Sequence, residues 1–452
     1  MGTGVRGAVT DGVNRQILRA AGAVTAAGVV VKLAAMGKEI VVAGAYGRAD
    51  AMDAFLAAAL IPGLLINLIS ESMNQALVPT LVRVREQEGQ ARAQELLSSA
   101  MLWSCALLVA ASAAMAVAAR AFFPLIGSHF APEKLALAVR LFYGLLPVVV
   151  LTGIASNCTA VLNTRDRFAL PALAPVVTPL ATIVCAFSLR GVLGIWALVV
   201  AAVGGALLHS FAMAWMMRAH GYRFSLRWHG MNNATRVVAR QYGPVLLSSV
   251  VASGGLLVDQ SMAAMLPAGS VSALVYANRF VSVVLTLLGG AVASAVTPYF
   301  AAMAARCEWS ACRHAMRTWL GWTALVSIPM AVALIAGGHW LVRMTFQHGV
   351  FGARDTAAVA PVLAMYAIQI PFFVCSRVFY RFLLAMLRTD LILVCGVLNL
   401  GLDVMLNLML MRRMGVAGIA LATSLWTVST FLFLTYWAVK VLRKAEQGGV
   451  CD

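Results

Sequence analysis

Long apolar runs separated by short polar and basic segments organise this 452-residue chain. About twenty consecutive apolar residues in helical form cross a bilayer. On that measure the chain holds twelve spans, near residues 20–45, 51–79, 96–119, 135–161, 169–189, 192–217, 241–265, 271–298, 318–337, 356–386, 391–410 and 416–439. The pattern predicts an all-α polytopic membrane protein of about twelve transmembrane helices. No small-residue cleavage site follows the first apolar run, so that run is expected to stay as a helix rather than leave as a signal peptide.

Composition agrees, with 62% hydrophobic and 11% charged residues and a mean hydropathy of +0.87, far from the roughly one quarter charged residues of soluble domains. A net charge of +17 raises the question of nucleic acid. The Lys and Arg lie between apolar segments, without a basic stripe or a nucleic-acid-binding motif, so no such partner is expected. The charge reads as topology. With a cytoplasmic N-terminus, the inner segments hold 20 of the 34 basic residues, among them Arg83, Arg85 and Arg92 and the cluster Arg218, Arg223, Arg227, Arg236 and Arg240. The opposite loops hold eight, so both termini are expected in the cytoplasm. The eight Cys are scattered, with neither a disulfide framework nor a zinc spacing.

The second half echoes the first. Gly191-Val192-Leu193-Gly194-Ile195 recurs as Gly415-Val416-Ala417-Gly418-Ile419, and at the same offset of 224 residues Arg165-Asp166 falls on Thr389-Asp390. Two pseudo-symmetric six-helix lobes are therefore expected, residues 1–217 and 241–452, joined by the basic cytoplasmic loop 218–240. An even number of crossings inserts both halves the same way up, and parallel repeats of this kind place substrate sites at their interface.

Ionisable groups inside spans are costly and mark transport paths, at least about 2.5 to 3.5 kcal/mol each on insertion scales. Spans one and two carry Lys32, Lys38, Glu39, Asp53 and Glu71, and span eight carries Arg279. Lys32 and Glu39 share a helical face, so Glu39 is expected to pair with Lys32 or with another helix. The remaining cations call for an anion, or else they are structural ion pairs between neighbouring spans. Asp53 and Glu71, 18 residues apart, share a face about 27 Å apart along an ideal helix. Asp53 suits a gate partner for a basic residue or a helix cap, and Glu71 a partner for Lys38 or Arg279. Arg377 and Arg381 are four apart in span ten, where like charges repel unless an anion lies between them or both snorkel to the headgroups. Asn399, Asp403 and Asn407 make a polar stripe on span eleven, and Asp259 lies in span seven; carboxylate and amide oxygens suit a hard cation, and the alternative is Asn residues in interhelical hydrogen bonds with Asp residues that titrate protons or are paired. Prolines at 62, 79, 147, 171, 175, 179, 244, 298, 329, 361 and 371 fall within or at the ends of spans, where freed carbonyls either line a cavity or accompany ordinary kinks. With no P-loop, GxSxG elbow or HExxH, the chain is read as no enzyme and as needing no organic cofactor.

Several of these residues form a recognisable set. Lys38-Glu39-Ile40-Val41-Val42-Ala43, Tyr46-Gly47, Asp53-Ala54-Phe55, Ile61-Pro62, Glu71 and Gln75-Ala76-Leu77-Val78-Pro79 resemble the N-terminal signature of the MviN/MurJ lipid II flippases, in the MOP exporter superfamily. Leu162-Asn163-Thr164 with Arg167-Phe168 and Pro171-Ala172, Tyr276-Ala277-Asn278-Arg279, and Phe346-Gln347-His348-Gly349-Val350-Phe351 extend the resemblance over nearly the whole chain. It implies a V-shaped bundle of two lobes that moves a polyprenyl-diphosphate-linked saccharide from the cytoplasmic to the periplasmic leaflet by alternating access. It places family cations on Lys32, Lys38 and Arg279 as diphosphate ligands. It also implies a sodium site, by similarity to members that use an Asp in span seven, an Asn/Asp pair four apart in span eleven and a Thr in span twelve; these fall on Asp259, on Asp403 and Asn407 in swapped order, and on Thr423. Two departures stand out. A family arginine of span two falls on Ile66, beside Asn67, and the chain ends after span twelve, whereas lipid II flippases of this family usually carry two more helices. An exopolysaccharide or O-antigen repeat unit is therefore kept beside lipid II as cargo.

The expected setting is the bacterial inner membrane, with the lipid-linked sugar and the bilayer as partners, and proteins of envelope biosynthesis left open. The membrane potential, with Na+ or H+ as coupling ion, is the expected driving force. Two rival readings remain, a cation-coupled multidrug exporter of the same superfamily and a non-transporting membrane scaffold of envelope assembly.

Overall fold

The computed structural model describes residues 26–127, 130–163, 169–219, 221–222 and 225–448. Arg165, Asp166 and Arg167 of the sequence reading lie outside the described residues, as does the N-terminal part of span one. Helix α1 covers residues 26–46. It is followed by α2 (Asp50–Leu65), a π-helix (Ile66–Glu71), α3 (Ser72–Glu88), α4 (Gln90–Ile126), α5 (Pro132–Asn163), α6 (Ala169–Leu173), a 3-10 turn (Ala174–Val176), α7 (Val177–Ser188), α8 (Arg190–Leu193) and α9 (Trp196–Ala219). The remainder is α10 (Asn233–Ala264), α11 (Ser270–Ala305), α12 (Trp309–Phe346), α13 (Ala353–Ala367), α14 (Gln369–Ala385), α15 (Thr389–Met414) and α16 (Val416–Gly448). The protein is all-α, with no strand among the described residues.

Eleven helices among the described residues are long and apolar enough to cross a membrane. They coincide one for one with the second to twelfth expected spans. Expected span one overlaps α1, whose apolar run Lys32, Lys38 and Glu39 interrupt. Large apolar side chains such as Phe211, Trp215, Trp322 and Trp340 are more than 60% exposed, which suits a chain whose solvent is lipid. Span ten is interrupted at Ile368, between α13 and α14, because Pro371 has no N–H to offer the carbonyl of Ala367.

Contacts divide the chain into two compact units. One comprises the described parts of residues 1–42, 58–125 and 132–250, around a core that includes Leu77, Leu81, Leu97, Met101, Val161, Met213 and Met217. The other comprises residues 43–57, 126–131 and 251–452, and so includes the turn between α1 and α2. Its core holds the fully buried rings of Tyr276, Phe300, Phe346, Phe351 and Phe382.

Backbone conformation marks two similar helix ends. Gly191 lies inside α8, whereas Gly194 ends it with φ 54° and ψ −129°, and Gly415 ends α15 with φ 58° and ψ −134°. Each glycine donates its N–H to the carbonyl four residues back. Gly194 and Gly415 thus end their helices in the same way. In each unit a serine hydroxyl donates to the carbonyl 59 residues earlier, Ser210 to Leu151 and Ser424 to Met365, both at 2.6 Å. Six described cysteines are free thiols, and Cys307 is disulfide-bonded, which its spacing in the sequence did not announce.

Candidate functional site

The α1–α2 turn is clamped onto α11 and α13 by a set of polar contacts. Asp53, 1% exposed, accepts the backbone N–H of Gly269 at 2.7 Å and of Ser272 at 2.9 Å. It therefore caps the N-terminus of α11, where free N–H groups and the helix dipole favour a carboxylate. The sequence predicts a cap of its own helix or a basic partner for Asp53, and the cap on a neighbouring helix adds to these. Arg48 donates to the Gly269 carbonyl at 3.0 Å and reaches Asp355 at 3.5 Å, while Asp355 also caps α13 through Gly352 N–H at 2.9 Å. Tyr276 donates its hydroxyl to Gly47 O at 3.1 Å, and Val350 N–H donates to Gly44 O at 2.9 Å. Gly269 has φ +81°, and a Cβ there would lie 2.9 Å from Arg48 O, so both conformation and space require glycine. Arg48, Gly269, Ser272 and Asp355 escaped the sequence reading, although Gly269 after Pro267 was a legible helix-start signal.

On α1, Lys38 is ion-paired with its chain neighbour Glu39 at 2.9 Å. Glu39 is buried, and a buried carboxylate takes the nearest available cation. The expected pairing with Lys32 does not occur, since Lys38 closes the pair within the same turn. Lys32 is half-buried and has no carboxylate at ion-pair distance among the described residues. Breaking a buried pair costs about 3–5 kcal/mol, whereas removing both partners is near neutral. Lys38→Gln alone should therefore lower thermal stability, and Lys38→Gln with Glu39→Gln should restore most of it; a melting point equally low in the double variant would show that the pair is not the unit.

The π-helix separates Asp53 from Glu71 and turns the chain by roughly 100° relative to an α-helix, about one inserted residue. The two carboxylates consequently do not share a face. Asp53 is buried and Glu71 is exposed, with Ser156 Oγ 3.5 Å from its carboxylate and Asn74 donating to Ser156 at 2.6 Å. The expected partners Lys38 and Arg279 are not the ones Glu71 meets. Ile66, where the family arginine would stand, opens the π-helix. Arg279 is exposed on α11. Arg377 and Arg381 are half-buried on α14, flanking Tyr380.

Asp259 of α10, Asp403 and Asn407 of α15, and Thr423 of α16 come together. Asn407 Nδ2 donates to Asp259 Oδ1 at 2.8 Å and to Asp403 Oδ1 at 3.1 Å, and Thr423 donates to Asp259 Oδ2 at 2.9 Å. All four side chains are buried, and neither carboxylate has a cationic partner among the described residues. Asp403 Oδ2 and Asn407 Oδ1 have no hydrogen-bond partner. Two unpartnered oxygens in an all-oxygen, doubly acidic set fit a hard cation such as Na+. The swapped order of Asp403 and Asn407 changes little, because residues four apart present to the same side. Tyr366, which the sequence reading missed, neighbours Thr423 and Asp259. Asn399, the third residue of the expected stripe, instead donates to Thr430 at 2.8 Å.

The family profile of lipid II flippase MurJ matches residues 42–451. The chain belongs to the MurJ family. It is 29% identical over 362 residues to the lipid II flippase MurJ of Burkholderia cenocepacia, a match covering 75% of this chain and 67% of that one. It is 22% identical over 437 residues to a probable lipid II flippase MurJ of Synechocystis, covering 93% and 82%. A solved MurJ structure in an inward closed conformation superposes with a TM-score of 0.79 at 21% identity, over 93% of this chain and 89% of the other. A multidrug-resistance MATE transporter of the MOP superfamily gives 0.77 at 13% identity, over 92% and 96%, which speaks to fold. As a MurJ-family chain it is a multi-pass membrane transporter and not a catalytic enzyme. Three stretches that carry the MurJ resemblance, Tyr46–Phe55, Tyr276–Arg279 and Phe346–Phe351, meet in the clamp, where the Tyr276, Phe346 and Phe351 rings lie 5.4–6.0 Å apart.

Proposed function

We propose that this protein moves a polyprenyl-diphosphate-linked saccharide, with lipid II as the first candidate, from the cytoplasmic to the periplasmic leaflet of the inner membrane by alternating access. The observation that carries the reading is Lys32, a cation on an apolar helix with no carboxylate partner among the described residues, in a chain of the MurJ family. A cation held there favours an anionic ligand over the cationic drugs of a multidrug exporter. Arg279 on the second unit supplies guanidinium chemistry, which grips phosphate bidentately. With both termini cytoplasmic, the Asp53 clamp lies on the periplasmic side.

An outward-moving diphosphate gains roughly 2.3 kcal/mol per negative charge per 100 mV when the cell interior is negative. Na+ held by Asp259, Asp403, Asn407 and Thr423 would balance two buried carboxylates and tie α10, α15 and α16 together. Two measurements test this. In proteoliposomes, translocation of a fluorescent lipid II analogue should accelerate with an imposed inside-negative potential, and indifference to both potential and sodium would remove the energetic part of the proposal. Accumulation of a lipid-linked intermediate on depletion would name the saccharide, and an unchanged lipid pool would favour a scaffold. Separately, NaCl should raise the unfolding temperature of the purified protein above that in choline chloride of equal ionic strength. Asp403→Asn should erase the difference; equal midpoints for the parent in both salts would dismiss the sodium site.

A further inference from the structure

Arg377 and Arg381 stand one turn apart on α14. The guanidinium carbon of Arg377 lies 4.2 Å from the centroid of Phe373 and 5.8 Å from that of Tyr380, and that of Arg381 lies 5.8 Å from Tyr380. Tyr380 lies between them as their shared neighbour, and neither arginine has an ion pair among the described residues. The Nε of Arg381 is sealed from solvent without a hydrogen-bond partner. Two guanidinium groups thus share one aromatic ring inside a membrane-spanning helix, with no acid to balance them.

Their place in the fold gives this pair a direction. A Cβ on Gly289 of α11 would lie 3.2 Å from Phe373 Cε1 and 3.9 Å from Arg377 Cγ, which sets Arg377 at the level of Gly289. Arg279 is ten residues earlier on the same helix, so the two levels differ by about 15 Å. On the expected orientation the pair is nearer the cytoplasm than Arg279. Snorkelling would free both head groups into the interface, but the buried Nε of Arg381 and the ring stacking of Arg377 hold them within the protein. Planar forks with unfilled donors suit a phosphoryl group.

We propose that Arg377 and Arg381 form a second diphosphate station, about 15 Å cytoplasmic of Arg279, that receives the phosphorylated headgroup as it enters. This rests on the flippase reading, and it adds a loading site to the main one. The test is binding of farnesyl diphosphate and of inorganic pyrophosphate to the full-length protein in nanodiscs of neutral lipid, followed by calorimetry. The parent should bind two equivalents of farnesyl diphosphate. Arg377→Gln with Arg381→Gln should remove one of them, with at least a tenfold loss of affinity at that site, and Arg279→Gln should remove the other. The Arg377→Lys, Arg381→Lys pair, which keeps the charge, covers the case in which the paired Gln variant does not fold and should bind more weakly than the parent at one site only. Two sites retained in both paired variants would overturn the proposal while leaving Arg279 intact, and a parent that binds no diphosphate would overturn the flippase reading beneath it. Equal competition by phosphatidylglycerol would show a headgroup contact of the bulk membrane and equally overturn the loading station.

Discussion

Replacing Arg279 with Gln is expected to slow headgroup translocation by about 100-fold without unfolding the protein. The side chain is exposed on α11, so its truncation removes little packing and leaves no cavity. On the proposed function it would remove a cation from the diphosphate, and losing one partner of a charge pair costs about 2–5 kcal/mol. Lysine at this position should recover part of the rate, since it restores the charge but not the bidentate fork. Lys32→Gln should slow the same step, since Lys32 has no carboxylate partner among the described residues. Translocation of a fluorescent lipid-linked substrate in proteoliposomes reads all three variants. An Arg279→Gln variant that works at the parental rate would place the diphosphate elsewhere.

Replacing Asp53 with Ala is expected to undo the clamp and abolish complementation of a strain depleted of its own flippase. Each charge-assisted bond from Asp53 is worth about 1.5–3 kcal/mol, and the end of a helix adds up to about 2 kcal/mol. The amides it satisfies have a specific reporter. Hydrogen exchange at Gly269 and Ser272 should speed up at least 100-fold in the variant, while amides of the α5–α9 pair should not change. An Asp53→Asn variant keeps the shape but offers an N–H where a second acceptor is needed, so it should behave more like the Ala variant than like the parent. Unchanged protection at both amides would mean that Asp53 does not hold α11, whatever the effect on growth.

How far the fold was legible follows from period and length. Eleven spans were placed from apolar runs alone because a membrane helix must satisfy its own backbone and bury its polar groups, which leaves a local signature. Gly191 and Gly194 both sit beside small apolar residues, and the backbone conformation of Gly194 is close to that of Gly415. The Asp403 and Asn407 stripe was readable because residues four apart on one helix face the same way, whereas its meeting with Asp259 and Thr423 was implied by the resemblance to family members.

Charged residues in the apolar runs, read from the sequence, determined that this is a membrane transporter with cations to place against an anion. Only the tertiary structure decided which charges are available for that task. It gave Lys38 to Glu39, set Asp53 on the amides of α11, and left Arg377 and Arg381 without an ion pair among the described residues. The reason is physical: periodicity reports which face of a helix a residue occupies, while the partner of a buried charge is whichever group packing brings within about 3 Å, and that distance is a property of the fold.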